Sequence, residues 1–133
     1  MPPTLSAPRL SLVPDKSPRP LGLVEPKWTT RKGLLRIRSV NEAGHWTLEL
    51  EGELDLSNSA ALEGEIRLAE TSAETITIDL RALTFMDSSG LHVITAAQER
   101  SGAGHRLQLR NGTRAVQRVF RLTGTEERLP FEG

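Results

Sequence analysis

The chain has 133 residues, no cysteine and a formal net charge of zero, and 37% of its residues are hydrophobic. That length and apolar content support one folded core but not two. The absence of cysteine excludes disulfide bridges, thiolate metal sites and cysteine nucleophiles. No stretch approaches the roughly 20 apolar residues that cross a bilayer, and the N-terminus lacks the apolar region of a secretory signal. We therefore expect a cytoplasmic protein with no membrane partner.

The N-terminal 32 residues differ in composition from the rest of the chain. Seven of the eight prolines lie between Pro2 and Pro26, and residues 1–32 hold six Lys or Arg against two Asp or Glu. Proline at this density removes backbone donors and blocks helix formation. We predict a disordered, proline-rich basic arm over residues 1–32 and a folded domain over residues 33–133. The shortness of the arm and the aromatic content of 4% argue against direct binding of nucleic acid.

Hydrophobic periodicity in the body of the chain predicts an α/β fold of order β-β-α-β-α-β-α. Strands are predicted where apolar and polar residues alternate, and helices where apolar residues recur every three or four positions. The first two strands flank a turn over residues 41–44 and should pair as a hairpin. The later strands alternate instead of being apolar throughout, so we expect an open mixed sheet with helices mainly on one face. Right-handed crossovers with every helix on that face make the strands advance in one direction.

The last helix, predicted over residues 113–122, shows two contrasting faces. The apolar face is expected to consist of Ala115, Val116, Val119, Phe120 and Leu122. The opposite face carries Arg114, Arg118 and Arg121. A solvated surface explains such a row of arginines, and a surface for an acidic partner is the alternative.

The most informative segment joins the third predicted strand to the second helix. The strand ends in Ile78-Asp79-Leu80, a short loop follows, and Asp87-Ser88-Ser89-Gly90 begins the helix. The N-terminus of a helix has unsatisfied N–H donors and about half a positive charge, so it stabilises a phosphate attached there. The glycine is expected to leave the approach to the hydroxyls open. For an isolated tetrapeptide, a plain helix cap is the alternative.

This segment resembles the signature of the STAS domain, as found in bacterial anti-sigma-factor antagonists. Two more segments resemble that family in the same order: Gly52-Glu53-Leu54-Asp55-Leu56 before the first helix, and Val119 to Gly124 near the C-terminus. The C-terminal segment continues to a short apolar end at Leu129-Pro130-Phe131, and the resemblance covers residues 34–131, essentially the whole body of the chain. The resemblance implies a single STAS-type domain that binds other proteins and is not an enzyme.

The resemblance also implies a partner-switching mechanism. In that family the unphosphorylated antagonist binds an ATP-binding anti-sigma factor, often also the serine kinase, and so frees a sigma factor. Phosphorylation releases the antagonist, and a PP2C-type phosphatase resets the cycle. The acceptor serine of the family matches Ser89, with Ser88 as the second choice. We expect a monomer or weak dimer, with no cofactor and no metal.

The partner-binding residues implied by the resemblance lie in two segments. They are Asp55, Asp87, Ser88, Ser89, Gly90, Leu91 and His92. A cap at the end of a strand explains Asp55 equally well. Core packing is the favoured interpretation for Phe85, Met86 and Leu91, and solvent exposure on the polar helix face is favoured for His92.

Other functions receive less support from the residues. The chain has no Gly-x-Ser-x-Gly elbow, and His45, His92 and His105 fall in separate elements without metal-ligand spacing, which argues against catalysis. The remaining alternatives are STAS domains in other settings. These are a stressosome-type scaffold, a lipid-transport accessory subunit, a binder that is never phosphorylated, and a transporter-associated domain, which the lack of a membrane segment disfavours.

Overall fold

The alternation of apolar and polar residues gives the sheet one buried and one charged face. The computed structural model describes residues 27–102 and 104–132. Its strands are β1 (Lys27–Lys32), β2 (Leu35–Glu42), β3 (His45–Leu54), β4 (Thr75–Met86) and β5 (Arg106–Arg110). Its helices are α1 (Ser59–Glu70), α2 (Ser88–Arg100) and α3 (Arg114–Leu122), followed by a 3₁₀ turn, Glu126–Arg128.

The strands lie in the sheet in the same order as in the chain, β1-β2-β3-β4-β5. The first three are antiparallel neighbours, whereas β3, β4 and β5 run parallel. Helices α1 and α2 are therefore crossover connections between parallel strands. This arrangement confirms the predicted α/β class, the hairpin of β2 and β3, and strands that advance in one direction.

Strand β1 corrects the predicted start of the folded domain. Lys27–Lys32 was assigned to the arm, but it pairs with β2 along its full length, with Trp28 opposite Ser39 and Lys32 opposite Leu35. The folded part therefore begins at least six residues before Gly33. Residues 1–26, which hold the rest of the predicted arm, lie outside the described residues.

The side chains of β1 explain why these six residues join the sheet. Trp28 packs edge-to-face against Trp46 with ring centroids 5.3 Å apart. The carboxylate of Glu65 on α1 accepts hydrogen bonds from Trp28 Nε1 and Thr30 Oγ1, both at 2.8 Å, and from Ser39 Oγ at 3.3 Å. Glu65 thus ties β1 and β2 to α1. The density of prolines in residues 1–32 led us to assign this short alternating strand to the arm.

The core lies between the helices and the apolar face of the sheet. Its fully buried side chains include Leu35, Ile37, Leu48, Ile76, Ile78, Leu62, Ile66, Ile94 and Phe120. The other face of the sheet carries cross-strand ion pairs, including Arg36 with Glu51 and Arg38 with Glu49. Helices therefore cover one face, as predicted.

Helix α3 differs from the prediction at its edges. Ala115 is exposed and Leu122 is 74% exposed, although both were expected on the buried side. Gln117 is buried beside Val116 instead. Its side-chain oxygen accepts a hydrogen bond from the Gly112 N–H (2.7 Å), and its Nε2 donates to Glu126 Oε2 (2.9 Å). A polar residue fits the buried stripe because both ends of its amide are satisfied.

Strand β4 continues through the loop that was predicted after Leu80. Relative to β3, β4 has one extra residue in each of two places, which are β-bulges. At the first bulge the carboxylate of Asp79 accepts the backbone N–H of Arg81 (3.0 Å) and its guanidinium (2.8 Å). At the second, Thr84 Oγ1 donates to the Gly52 carbonyl (2.9 Å). Side chains thus satisfy backbone groups that the bulges remove from regular pairing.

The Asp79 carboxylate is held in its ionised form. Burial alone would raise the pKa of Asp79, but the hydrogen bonds from Arg81 and the nearby Arg110 guanidinium outweigh burial and lower it. A carboxyl whose pKa is lowered on folding stabilises the fold above its unfolded pKa, and that contribution disappears as the pH falls through the folded pKa. Acid is therefore expected to weaken the first bulge.

Replacing Glu65 should destabilise the fold, because three donors would lose their acceptor. We expect Glu65→Ala to lower the free energy of unfolding by about 1–3 kcal/mol. Glu63→Ala is the matched control on the same helix, since Glu63 makes only a 3.7 Å ion pair with Arg67, and should change it by less than about 0.5 kcal/mol. Urea unfolding followed by tryptophan fluorescence measures both. Equal effects of the two substitutions would contradict the role assigned to Glu65.

Replacing Asp79 should alter the pH dependence of stability. Asp79→Asn cannot ionise, so wild type should be more stable above about pH 4, and its advantage should shrink as the pH falls below that value. Urea unfolding midpoints of the two proteins across that range measure the difference. A difference independent of pH would show that the Asp79 charge does not stabilise the bulge.

Candidate functional site

Two polar loops leave the sheet side by side. Leu54, the last residue of β3, is the register partner of Met86, the last residue of β4. The Asp87 N–H donates to the Leu54 carbonyl at 3.2 Å, which extends the parallel pairing past the end of the strand. Asp55 and Asp87 therefore follow neighbouring strands at the same edge of the sheet.

Asp87 caps helix α2, as predicted. Its backbone is extended, and its Oδ1 accepts the backbone N–H of Ser89 at 2.8 Å. The helix begins at Ser88, which is exposed, whereas Ser89 is half-buried. Both hydroxyls consequently lie in the first turn of a 13-residue helix, at its positive end.

Gly90 has a packing role beneath the two serines. It is buried, and a Cβ added there would lie 2.5 Å from Leu54 Cδ2 and 2.8 Å from Met86 Cγ. Such distances are far below van der Waals contact. Glycine is required because the first turn of α2 sits directly on the ends of β3 and β4.

Asn58 organises the neighbouring loop. Its side chain makes no cap hydrogen bond to α1 and is only 1% exposed. Its Oδ1 accepts the Asp55 N–H and its Nδ2 donates to the Glu53 carbonyl, both at 2.9 Å. Asp55 in turn accepts the N–H and hydroxyl of Ser57. Asparagine before a helix suggests a cap in sequence, so this positioning role was missed.

The surface at this edge contains some of the predicted residues but not all of them. His92 is exposed and Asp55 is half-buried, whereas Leu91 is only 6% exposed and packs in the core. Phe85 was expected in the core but is 47% exposed, and Leu56 is 78% exposed. Both apolar side chains flank the loops, so the site combines hydroxyls and carboxylates with exposed apolar area.

Two cavities in the described part of the chain lie away from the first turn of α2. One of about 390 Å³ is lined in part by Gln98, Leu107 and Phe131, and one of about 620 Å³ by residues that include Arg81 and Arg110. Within residues 27–102 and 104–132 no three metal-ligating side chains cluster together, and no helix is long and apolar enough to span a bilayer.

Comparison with protein families identifies the fold. The model of a family described as "Mlab, STAS domain" matches residues 37–130. The chain belongs to the STAS-domain family. Curated proteins gave no match to the sequence.

Solved structures of STAS proteins share the fold. An anti-sigma factor antagonist from Mycobacterium paratuberculosis is 26% identical, with a TM-score of 0.67 over 73% of this chain and 84% of that one. The anti-sigma factor antagonist SpoIIAA in its unphosphorylated form is 24% identical, with a TM-score of 0.62 over 73% and 88%. A sulfate transporter family protein from Wolinella succinogenes is 19% identical, with a TM-score of 0.58 over 69% and 79%.

A glycine-to-alanine pair tests the contact beneath the serines. Gly90→Ala should lower the free energy of unfolding by about 1–3 kcal/mol, because the new methyl group overlaps Leu54 and Met86. Gly64→Ala is the control, since nothing lies within 4 Å of its added Cβ on α1, and it should stabilise by about 0.5–1 kcal/mol. Thermal and urea unfolding measure both changes. A Gly90→Ala protein as stable as wild type would contradict the contact.

Proposed function

We propose that this STAS domain is an anti-sigma-factor antagonist whose binding is switched off by phosphorylation of Ser89. The observation that carries the proposal is the position of Ser89 in the first turn of α2, where Asp87 caps the helix beside the ends of two strands. The 26% identity to a mycobacterial antagonist supports the same role. Ser88, one residue earlier and more exposed, is the second candidate for the acceptor.

The chemistry of a phosphate at this position accounts for both states of the switch. A phosphoryl group adds about −1.5 to −2 charges near neutral pH. The helix N-terminus compensates part of that charge, so the domain itself tolerates the modification. A partner protein packed closely over the first turn of α2 would have to remove water from the same charge, next to Asp55 and Asp87. Phosphorylation therefore penalises the complex more than the free domain.

The proposed partners follow from this role. An ATP-binding anti-sigma factor with serine kinase activity binds the unphosphorylated domain and phosphorylates it. A PP2C-type phosphatase removes the phosphate. Since ATP and the sigma factor are found in the cytoplasm, we place the cycle there, with the domain acting as a monomer or weak dimer and without a cofactor.

A STAS scaffold that is never phosphorylated is the alternative function. A scaffold and an antagonist would share the same STAS fold, so the fold does not distinguish the two functions. The two functions differ in whether a serine is phosphorylated in the serine loop, Asp87-Ser88-Ser89-Gly90. They also differ in assembly, because a stressosome-type scaffold forms large particles.

Mass spectrometry after incubation with ATP and each candidate anti-sigma kinase tests the proposal. We expect a single added phosphate (about 80 Da) on wild type and on Ser88→Ala, and none on Ser89→Ala, because the hydroxyl at position 89 is the acceptor. Ser88→Ala is the matched control because it changes the adjacent hydroxyl of the same turn. A phosphate that persists in Ser89→Ala would move the acceptor to Ser88. No phosphate with any kinase, combined with assembly into large particles, would favour the scaffold.

A further inference from the structure

We infer that the docking surface for this partner extends from the serine loop onto a row of three residues, Leu34, Glu53 and Phe85. The row lies across the edge of the sheet where three strands begin or end. This inference rests on the proposed function and specifies the surface that the anti-sigma factor covers. The family signature around the serines does not include Leu34.

Backbone pairing brings the three residues into one row. The Glu53 N–H donates to the Leu34 carbonyl at 3.0 Å, and Glu53 is the register partner of Phe85 on the adjacent strand. Neighbouring strands lie about 4.8 Å apart, so residues opposite each other have adjacent side chains. Leu54 and Met86 are buried against the helices, so by alternation Glu53 and Phe85 point to the open face of the sheet. The serine loop follows Phe85 by two residues.

Exposed apolar side chains concentrate at this edge. Five large hydrophobic residues are exposed in the described part of the chain, and three of them are Leu34 (68%), Leu56 (78%) and Phe85 (47%). Leu68 and Leu122 are separate, on α1 and α3. Clustered apolar area rimmed by charge is typical of a protein-binding surface, whereas single exposed leucines are common and need no explanation.

The turn that presents Leu34 is held in place. Gly52 has φ +103°, and any Cβ there would overlap the Leu34 carbonyl oxygen, so only glycine permits this close approach. On the other side, Asn58 Nδ2 donates to the Lys32 carbonyl at 3.4 Å. Asn58 also holds the loop of Asp55. The turn and the loop therefore share a support, and a partner meets a preformed surface that costs little to order.

The charges around the row favour a partner with basic side chains around an apolar centre. Glu53, Asp55 and Asp87 contribute three carboxylates at this edge, against two basic side chains, Arg31 and Lys32, because Arg36 is already paired with Glu51. A second copy is a poorer occupant, because a two-fold interface would set these carboxylates against their own equivalents. An apolar contact also explains the direction of the switch, since a phosphate is costly to desolvate beside leucine and phenylalanine.

Binding measurements on single variants test the surface. The unphosphorylated full chain is passed over the immobilised kinase that phosphorylates Ser89, and dissociation constants are compared by surface plasmon resonance. We expect Leu34→Ser and Phe85→Ser each to weaken binding about tenfold or more, as residues central to an interface do. Leu122→Ser is the matched control, an equally exposed leucine on α3, and should bind within about twofold of wild type. Thermal unfolding confirms that each variant remains folded.

The possible outcomes distinguish an error in the inferred docking surface from an error in the proposed function. If wild type binds and Leu34→Ser and Phe85→Ser bind equally well, the surface is wrong and the proposed function stands. If wild type binds none of the ATP-binding kinases, both are wrong. Sedimentation of the same proteins adds a further outcome: a wild-type dimer that dissociates in Leu34→Ser would assign the row to a second copy and overturn the assignment to a kinase.

Discussion

The parallel pairing of β3 and β4 up to their last residues determines where the site lies. Leu54 pairs with Met86, and the Asp87 N–H continues the pairing to the Leu54 carbonyl. Gly90 then allows the first turn of α2 to rest on both side chains. Because these contacts fix the backbone at the start of α2, the serine hydroxyls are presented by a rigid support. A modification there changes the surface without requiring the core to rearrange.

A rigid presentation also explains how a small modification can control a large contact. In the proposed switch, a phosphate on Ser89 would gain part of its stabilisation from the N-terminus of α2 in both the free and the bound domain. Only the proposed complex would have to remove water from it, at a surface whose exposed apolar residues include Leu56 and Phe85. The switch thus acts on the free energy of binding and leaves the free energy of folding nearly unchanged. No bistable element within the fold is needed.

Sequence reasoning was accurate where local pattern determines structure. The alternation in β2 and β3, the cap by Asp87 and the class of fold follow from residues near each other in the chain. It was wrong where the local structure depends on contacts with residues that are distant in the chain. Strand β1 depends on Glu65, more than 30 residues away, and the burial of Gly90 depends on Leu54. Composition alone assigned Trp28 to a proline-rich arm, and periodicity could not show that Phe85 faces the open side.

The affinity of the kinase partner for the two phosphorylation states tests the central claim most directly. The domain is prepared with Ser89 fully phosphorylated and without phosphate, and both forms are titrated into the partner in the same isothermal calorimetry buffer. The account predicts that the unphosphorylated form binds at least about tenfold more tightly, while the two forms unfold at similar temperatures. Equal affinities would contradict it, because a phosphate that the partner does not sense cannot switch the complex.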